Sequence, residues 1–231
     1  MTRDNLGNTY VIAQDNSIEK IDASGKILFT YNESKFGTPT SIDASNALNI
    51  VVFYHDFNKV LVLNNNLSLI QSIDFNTVHI KAEVACGSTD NYFWLYDDFE
   101  HKLKKVDRTG KILNESVDLL NQFGYELNPV SISADENYVF LDDTAQGIYI
   151  FDLYGSEVMN IPLRGIKSFQ ADNDKIYFIK NMLLHQYNFK TFQDNTLDVL
   201  TSVEPQQIYF NNNMLCTLLK NQLDLYRITT E

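Results

Sequence analysis

A segment of about forty residues repeats along the chain, and this period constrains the fold more than any other feature. Its clearest copies are IEKIDASGKIL (Ile18–Leu28), LKKVDRTGKIL (Leu103–Leu113) and IYIFDLYGSEV (Ile148–Val158). Each copy predicts a strand, an Asp-x-x-Gly turn and a second strand, because Asp accepts backbone hydrogen bonds in turns and Gly tolerates a positive φ. A weaker copy at Val60–Ile70 has Leu67 in place of the Gly, and degraded copies follow at Leu183–Phe189 and Leu223–Thr229.

The repeat predicts the architecture of the whole chain. The residues that open the turns recur every 36 to 45 residues, at Asp22, Asn64, Asp107, Asp152, Asn188 and Arg227. An apolar, strand-forming run precedes each turn, as in NIVVFY and YFWLY, and most of these runs follow a further short strand. Six units of this length are typical of a β-propeller, in which each unit is a four-stranded blade. We therefore predict an all-β, six-bladed propeller that occupies residues 1–231 as a single domain.

The count of strands predicts a gap in the ring. Only a few residues precede DNLGN in the first unit, and the last unit stops after three strands. Propellers avoid open sheet edges by letting an N-terminal strand complete the last blade. We therefore expect incomplete closure within this chain, with about 20–25 residues, one outer and one inner strand, preceding Met1 in the native gene product.

Charge and composition exclude several classes of partner. The 231 residues carry 30 acidic and 18 basic side chains, and a net charge of −12 argues against nucleic acid, whose phosphates are bound by Lys and Arg. No apolar run approaches the roughly 20 residues that span a bilayer, so we expect no direct membrane insertion. Cys86 and Cys216 lie far apart in apolar strands, which predicts buried free thiols.

The turns between the second and third strands are the candidate binding site. In a propeller these turns emerge on one face, so their acidic and aromatic residues are expected to share a rim that contacts a protein partner. The candidate residues are Tyr54, His55, Asp56, Phe57, Tyr96, Asp97, Asp98, Phe99, Asp142 and Asp143. The alternative is that Asp is simply a common turn residue and that the aromatic side chains belong to the core.

Catalytic and metal sites find less support in the sequence. No Asp-rich loop matches a calcium-binding pattern, and we predict no metal and no other cofactor. The four histidines, His55, His79, His101 and His185, fall in different units and lack zinc spacing. Carboxylates on the predicted channel strands, at Asp43, Glu83, Asp135 and Asp172, leave open an enzyme or a small-ligand or metal site at the channel mouth.

Three long segments carry a more specific pattern than the blade repeat: GTPTSIDASNALNIVVFYHDFNKVLVLNNNLS (Gly37–Ser68), NYFWLYDDFEHKLKKVD (Asn91–Asp107) and GIYIFDLYGSEVMNIPLRGIKSFQ (Gly147–Gln170). These segments resemble exported β-propeller proteins of the Bacteroidetes, a group with blades of the NHL/TolB type. The resemblance extends from Asp4 to about Tyr226. It implies an exported protein of the periplasm or outer membrane, and it assigns no catalytic residue.

Together these features favour a non-catalytic scaffold of the cell envelope that presents one propeller face to a protein partner. The partner implied by the resemblance is an envelope or outer-membrane protein, so the scaffold would belong to an outer-membrane complex.

Overall fold

Six antiparallel sheets form the molecule, which confirms the predicted six-bladed β-propeller. The computed structural model describes residues 1–198, 203–211, 214–220 and 222–227. Blades 1 to 5 have four strands each, and blade 6 has three among the described residues. In every blade the strands lie side by side in chain order, from the central channel outwards.

The predicted apolar runs form the second strand of each blade, and the short runs before them form the inner strands. Blades 1 and 2 comprise β1 (Thr2–Arg3), β2 (Thr9–Ile12), β3 (Ile18–Ile21), β4 (Ile27–Tyr31), β5 (Ser41–Asp43), β6 (Ile50–Tyr54), β7 (Lys59–Leu63) and β8 (Leu69–Asp74). Blades 3 and 4 comprise β9 (Ala82–Gly87), β10 (Phe93–Asp97), β11 (Lys102–Val106), β12 (Ile112–Glu115), β13 (Ser131–Ala134), β14 (Tyr138–Asp143), β15 (Gly147–Asp152) and β16 (Glu157–Ile161). Blades 5 and 6 comprise β17 (Phe169–Asp172), β18 (Lys175–Lys180), β19 (Leu183–Asn188), β20 (Gln193–Asp198), β21 (Gln207–Asn211), β22 (Met214–Leu218) and β23 (Leu223–Arg227).

The Asp-x-x-Gly turns join the third and fourth strands, as predicted. In blade 1 the Asp22 carboxylate accepts the Ser24 amide at 2.8 Å, and Gly25 closes the turn with a φ of +86°. Leu67 adopts a φ of +56° at the corresponding place in blade 2 and is buried. Its side chain belongs to the apolar cluster between blades 1 and 2, and this packing offsets the strain of a left-handed backbone.

Apolar clusters fill the space between consecutive blades. Five such clusters of buried side chains join blade 1 to 2, 2 to 3, 3 to 4, 4 to 5 and 5 to 6. The second strands contribute most, and every residue of β6 and β10 is buried because neighbouring blades cover both faces. Trp94, Cys86 and Cys216 are buried, and both cysteines are free, as predicted.

Blade 6 contacts blade 1 through side chains. The Arg3 guanidinium lies 6.0 Å from the centre of the Tyr209 ring, and the Cys216 Sγ lies 3.6 Å from the Met1 Sδ. The prediction that blade 1 lacks an inner strand was wrong, because the two-residue β1 pairs with β2. It escaped the sequence pattern because two residues carry no periodicity.

The connection between blades 3 and 4 contains a short helix, α1 (Leu119–Phe123). The Asp118 side chain caps the helix by accepting the Asn121 amide, and Leu119 is buried. Among the described residues, no helix is both long and apolar enough to cross a membrane.

Hydrogen bonds define one face of the propeller, which we call the upper face. The amide that precedes each of three inner strands bonds to the end of the second strand of the same blade. These pairs are Thr40 N to Phe53 O, Val130 N to Asp142 O, and Gln206 N to Leu218 O, each at 2.8 Å. The inter-blade connections and the turns between second and third strands therefore meet at the upper face. The turns between third and fourth strands lie at the opposite, lower face.

Candidate functional site

A groove at the upper face, between blades 2 and 3, is lined by three of the ten predicted site residues, His55, Asp56 and Phe99. It has a volume of about 780 Å³. Its lining comes from the β6–β7 turn, the β8–β9 connection and the β10–β11 turn: His55, Asp56, Asn58, Asn76, His79, Ile80, Lys81, Ala82 and Phe99. We call this feature the blade 2–3 groove.

Asn58 links the β6–β7 turn, on the blade 2 side of the groove, to the connection that enters blade 3. It ends a single 3-10 turn, His55–Phe57, in the left-handed conformation with a φ of +50°. Its side-chain amide donates to Ile80 O at 2.6 Å, and its Oδ1 accepts the Ala82 amide at 3.0 Å. The β6–β7 turn is thereby bound to the connection that enters blade 3.

Asp97 fixes the backbone on the blade 3 side of the groove through hydrogen bonds. Its Oδ1 accepts the backbone amides of Lys81 and Phe99, each at 3.1 Å. Its Oδ2 accepts the Lys104 ammonium at 2.6 Å. A buried carboxylate that receives several donors keeps its geometry, because each lost hydrogen bond would leave a buried polar group unpaired. Asp97 therefore holds the two residues that border the groove, Lys81 and Phe99.

Acidic side chains dominate the electrostatics of the groove. Asp56 is 76% exposed, and the His55 imidazole lies between its carboxylate (3.6 Å) and that of Glu83 (3.1 Å). Lys81 pairs with Asp98, whose hydrogen bond and charge raise the pKa of the lysine, and the charges of Glu83 and Glu126 add to this effect. Three carboxylates thus act on Lys81, the lysine of the groove lining, and Asp56 adds a fourth beside His55, so the groove attracts positive charge.

Two phenylalanines project beside these acids. Phe99 is 77% exposed and Phe57 is 46% exposed. Phe57 packs edge-on against Phe36 at 6.0 Å between ring centres, while Phe99 borders the groove itself. Exposed aromatic side chains next to charged side chains are features of protein-binding surfaces.

The other half of the predicted rim is not at the surface. Tyr54, Tyr96, Asp97, Asp142 and Asp143 are all buried, so the expectation that they are exposed was wrong. The tyrosines belong to the inter-blade clusters. Asp143 accepts the amides of Asn128 (2.8 Å) and Ala145 (2.9 Å), so, like Asp97, it holds two backbone segments in place.

Asp142 has a different environment from the other buried acids. Its Oδ1 has no hydrogen-bond partner among the described residues, and the Ser131 side chain bonds to the carboxyl group. Burial raises the pKa of Asp142 to about 7, and the charge of Asp143 adds to the rise, while Ser131 opposes it.

The four carboxylates predicted on the channel strands do not gather at one site, although burial, and to a smaller extent the charge of Asp172, raises the pKa of Asp135. Glu83 pairs with His55 at the upper groove. Asp43 Oδ2 accepts the Gly87 amide at 2.9 Å, and Asp135 Oδ1 accepts the Asn137 amide at 2.7 Å, which are local structural roles. Across the described part of the chain, no three His, Cys, Asp or Glu side chains come together as metal ligands.

Asn58 and Lys81 are site residues that sequence reasoning missed. Asn58 directly follows the predicted turn residue Phe57 in sequence, whereas Lys81 adjoins a predicted rim turn only in three dimensions. The usable signal was topological, because in a propeller the residue before an inner strand lies beside the turn between second and third strands. Lys81 stands directly before β9, in that position.

Solved structures with the same fold include enzymes and proteins of other kinds. A streptogramin B lyase structure has a TM-score of 0.64 and 16% identity and covers all of this chain and 82% of its own. A protein of unknown function from Bacteroides caccae has a TM-score of 0.60 and 13% identity, covering 90% of this chain and 80% of its own. BamB from Moraxella catarrhalis has a TM-score of 0.53 and 14% identity, covering 95% and 69%.

No protein-family model and no curated protein sequence matches the chain. Sequence identities of this size establish a shared fold and leave the chemistry undetermined. By these comparisons the chain is similar in fold to β-propellers that include lyases and BamB.

Proposed function

We propose that this protein is a non-catalytic interaction module that docks a segment of a protein partner in the blade 2–3 groove. The bound segment carries basic side chains next to apolar ones. The observation that carries the proposal is the position of Phe99, 77% exposed, beside a groove whose carboxylates outnumber its lysines. An aromatic ring that sits in water is a ready contact for an aliphatic or guanidinium group.

The remaining site residues have defined roles in this proposal. Asp56 and Glu83 attract the basic group, and Phe57 and Phe99 contact the apolar portion. Asp97 is a positioning residue, because it fixes the backbone of Lys81 and Phe99 from below. The resemblance to exported Bacteroidetes propellers supports a partner in the cell envelope, such as an outer-membrane protein.

Site-specific photocrosslinking tests the proposal. A benzophenone amino acid replaces Phe99 in one variant and Tyr154 in a control variant, and crosslinked peptides from native envelopes are sequenced. Tyr154 is the matched control, because it is also 77% exposed but lies in a lower-face turn. We expect crosslinks to Lys- or Arg-containing segments of one protein from position 99 and not from position 154. Equal capture at both positions, or none at position 99, would exclude docking in the groove.

A further inference from the structure

An apolar girdle divides the central channel into an upper and a lower cavity. Ile42, Ile132, Phe169 and Ile208, from the inner strands of blades 2, 4, 5 and 6, line both cavities. The upper cavity opens at the upper face and has a volume of about 500 Å³. We call it the upper cup. It is separate from the blade 2–3 groove, with which it shares no lining residue.

Hydroxyl and amide side chains surround the upper cup above the girdle. They include Thr40, Ser131, Ser168 and Gln206, from blades 2, 4, 5 and 6. These residues stand at or just before the first position of an inner strand, so the propeller symmetry brings them to the same level. The cup therefore combines an apolar floor with a polar wall, the usual composition of a small-molecule site.

The hydrogen bonds within the wall determine what each hydroxyl offers. Thr40 Oγ1 accepts the His55 amide at 3.0 Å, and Ser168 Oγ accepts the Ile208 amide at 3.1 Å. Each of these two hydroxyls keeps its own proton for donation. Ser131 instead bonds to the buried Asp142 carboxyl group, which fixes its orientation and leaves oxygen lone pairs to accept. The wall thus presents donors and acceptors together.

The charge of the cup is close to balanced, because burial lowers the pKa of the Met1 amino group, which also lines it, to about 6. Lys167 is the cationic side chain among its lining residues, and its Nζ lies 3.4 Å from Glu204 Oε2 and 3.3 Å from Glu204 O. An anionic ligand would have to compete with Glu204 for this cation. An apolar ligand would leave the hydroxyls and amides without partners, which is unfavourable.

From this arrangement we propose that the upper cup binds a small neutral polyhydroxylated molecule of monosaccharide size. Its hydroxyl groups exchange hydrogen bonds with Thr40, Ser131 and Ser168, and its C–H face packs on Phe169. The cup shares no lining residue with the blade 2–3 groove, and the failure of either proposal leaves the other standing.

Saturation-transfer difference NMR tests this proposal with defined probes. The protein is titrated with D-glucose, D-galactose, D-mannose and N-acetyl-D-glucosamine, and separately with inorganic phosphate. The variants are Ser131→Ala and Ser168→Ala. The control is Ser133→Ala on the same strand, because Ser133 lines the lower cavity and not the upper cup. Far-UV circular dichroism and the melting temperature establish that each variant is folded.

The expected result is saturable binding of at least one sugar, weakened roughly tenfold in S131A and in S168A, as the loss of one good hydrogen bond predicts. S133A should bind like the unmodified protein. Ser168 also accepts the Ile208 backbone amide, so S168A can lose stability. If S168A is unfolded, the sugar affinity of S131A alone tests the proposal. Absence of binding by every sugar, preference for phosphate, or equal weakening by S133A would overturn the proposal.

Discussion

Asp97 and Lys104 form an ion pair in the interior of blade 3, with 2.6 Å between Asp97 Oδ2 and Lys104 Nζ. Both side chains are buried, and they lie on the neighbouring strands β10 and β11. Burial lowers the pKa of Lys104, but the hydrogen bonds and charges of Asp97 and Glu100 outweigh it and raise the pKa overall. Because Asp97 also holds the amides of Lys81 and Phe99, this pair connects the core to the border of the groove.

Replacing Lys104 with Met should destabilise the protein strongly. The change leaves the Asp97 carboxylate buried without its cation, a loss of about 3–5 kcal/mol. Lys102→Met is the matched control on the same strand, because Lys102 pairs with the more exposed Glu115 and its removal should cost about 1 kcal/mol or less. Urea unfolding of both variants measures the difference. Equal destabilisation would contradict the role assigned to the buried pair.

Replacing Asp142 with Asn should change how stability depends on pH. Its folded pKa is raised from 3.8 to about 7, so the stability that it contributes is present at low pH and is lost as pH rises through 7. The loss amounts to roughly 4 kcal/mol between about pH 4 and pH 7. As pH rises over this range, the free energy of unfolding of D142N should therefore increase relative to that of the unmodified protein. Urea unfolding at several pH values measures this difference.

Asp107→Asn provides a control of opposite sign for that experiment. Hydrogen bonds from Thr109 lower the pKa of this exposed carboxyl group, so its contribution is present at neutral pH and is lost as pH falls. D107N should lose stability relative to the unmodified protein as pH rises. A D142N stability difference that is constant with pH would refute the assigned environment of Asp142.

Tyr54 and Phe57 are three residues apart, but their replacement by Ala should have different consequences. Tyr54 is buried in the cluster between blades 1 and 2, so Y54A should lose about 3–5 kcal/mol of unfolding free energy. Phe57 is half exposed, so F57A should lose about 1 kcal/mol or less and weaken partner binding. Thermal melts separate the two, and a strongly destabilised F57A would remove Phe57 from the docking surface.

The blades were predictable from sequence because the chemistry of their turns is local. In blade 1 the turn is formed by local interactions alone, since Asp22 accepts the Ser24 amide and Gly25 adopts a positive φ. Leu67 is the exception, because its left-handed backbone is offset by packing between blades 1 and 2. The period of these turns and the apolar runs between them were sufficient to predict the six blades.

The candidate site was predictable only in part, because exposure depends on packing between segments that are distant in sequence. Asp97 and Asp98 are adjacent and chemically identical, but one is buried against Lys104 and the other reaches Lys81 at the surface. Neighbouring residues of a strand point to opposite faces, and a one-residue difference in where the strand ends decides which carboxylate is internal. The sequence pattern placed both in one turn and could not distinguish them.

Selection of displayed random peptides against the purified protein tests the docking groove most directly. Enriched peptides should carry Lys or Arg close to an aliphatic or aromatic residue. They should lose binding to Phe99→Ala and Asp56→Lys and keep it for Tyr154→Ala and Glu136→Lys, which alter exposed residues of the lower face. Enrichment of peptides without basic residues, or binding that is indifferent to Phe99 and Asp56, would contradict the account.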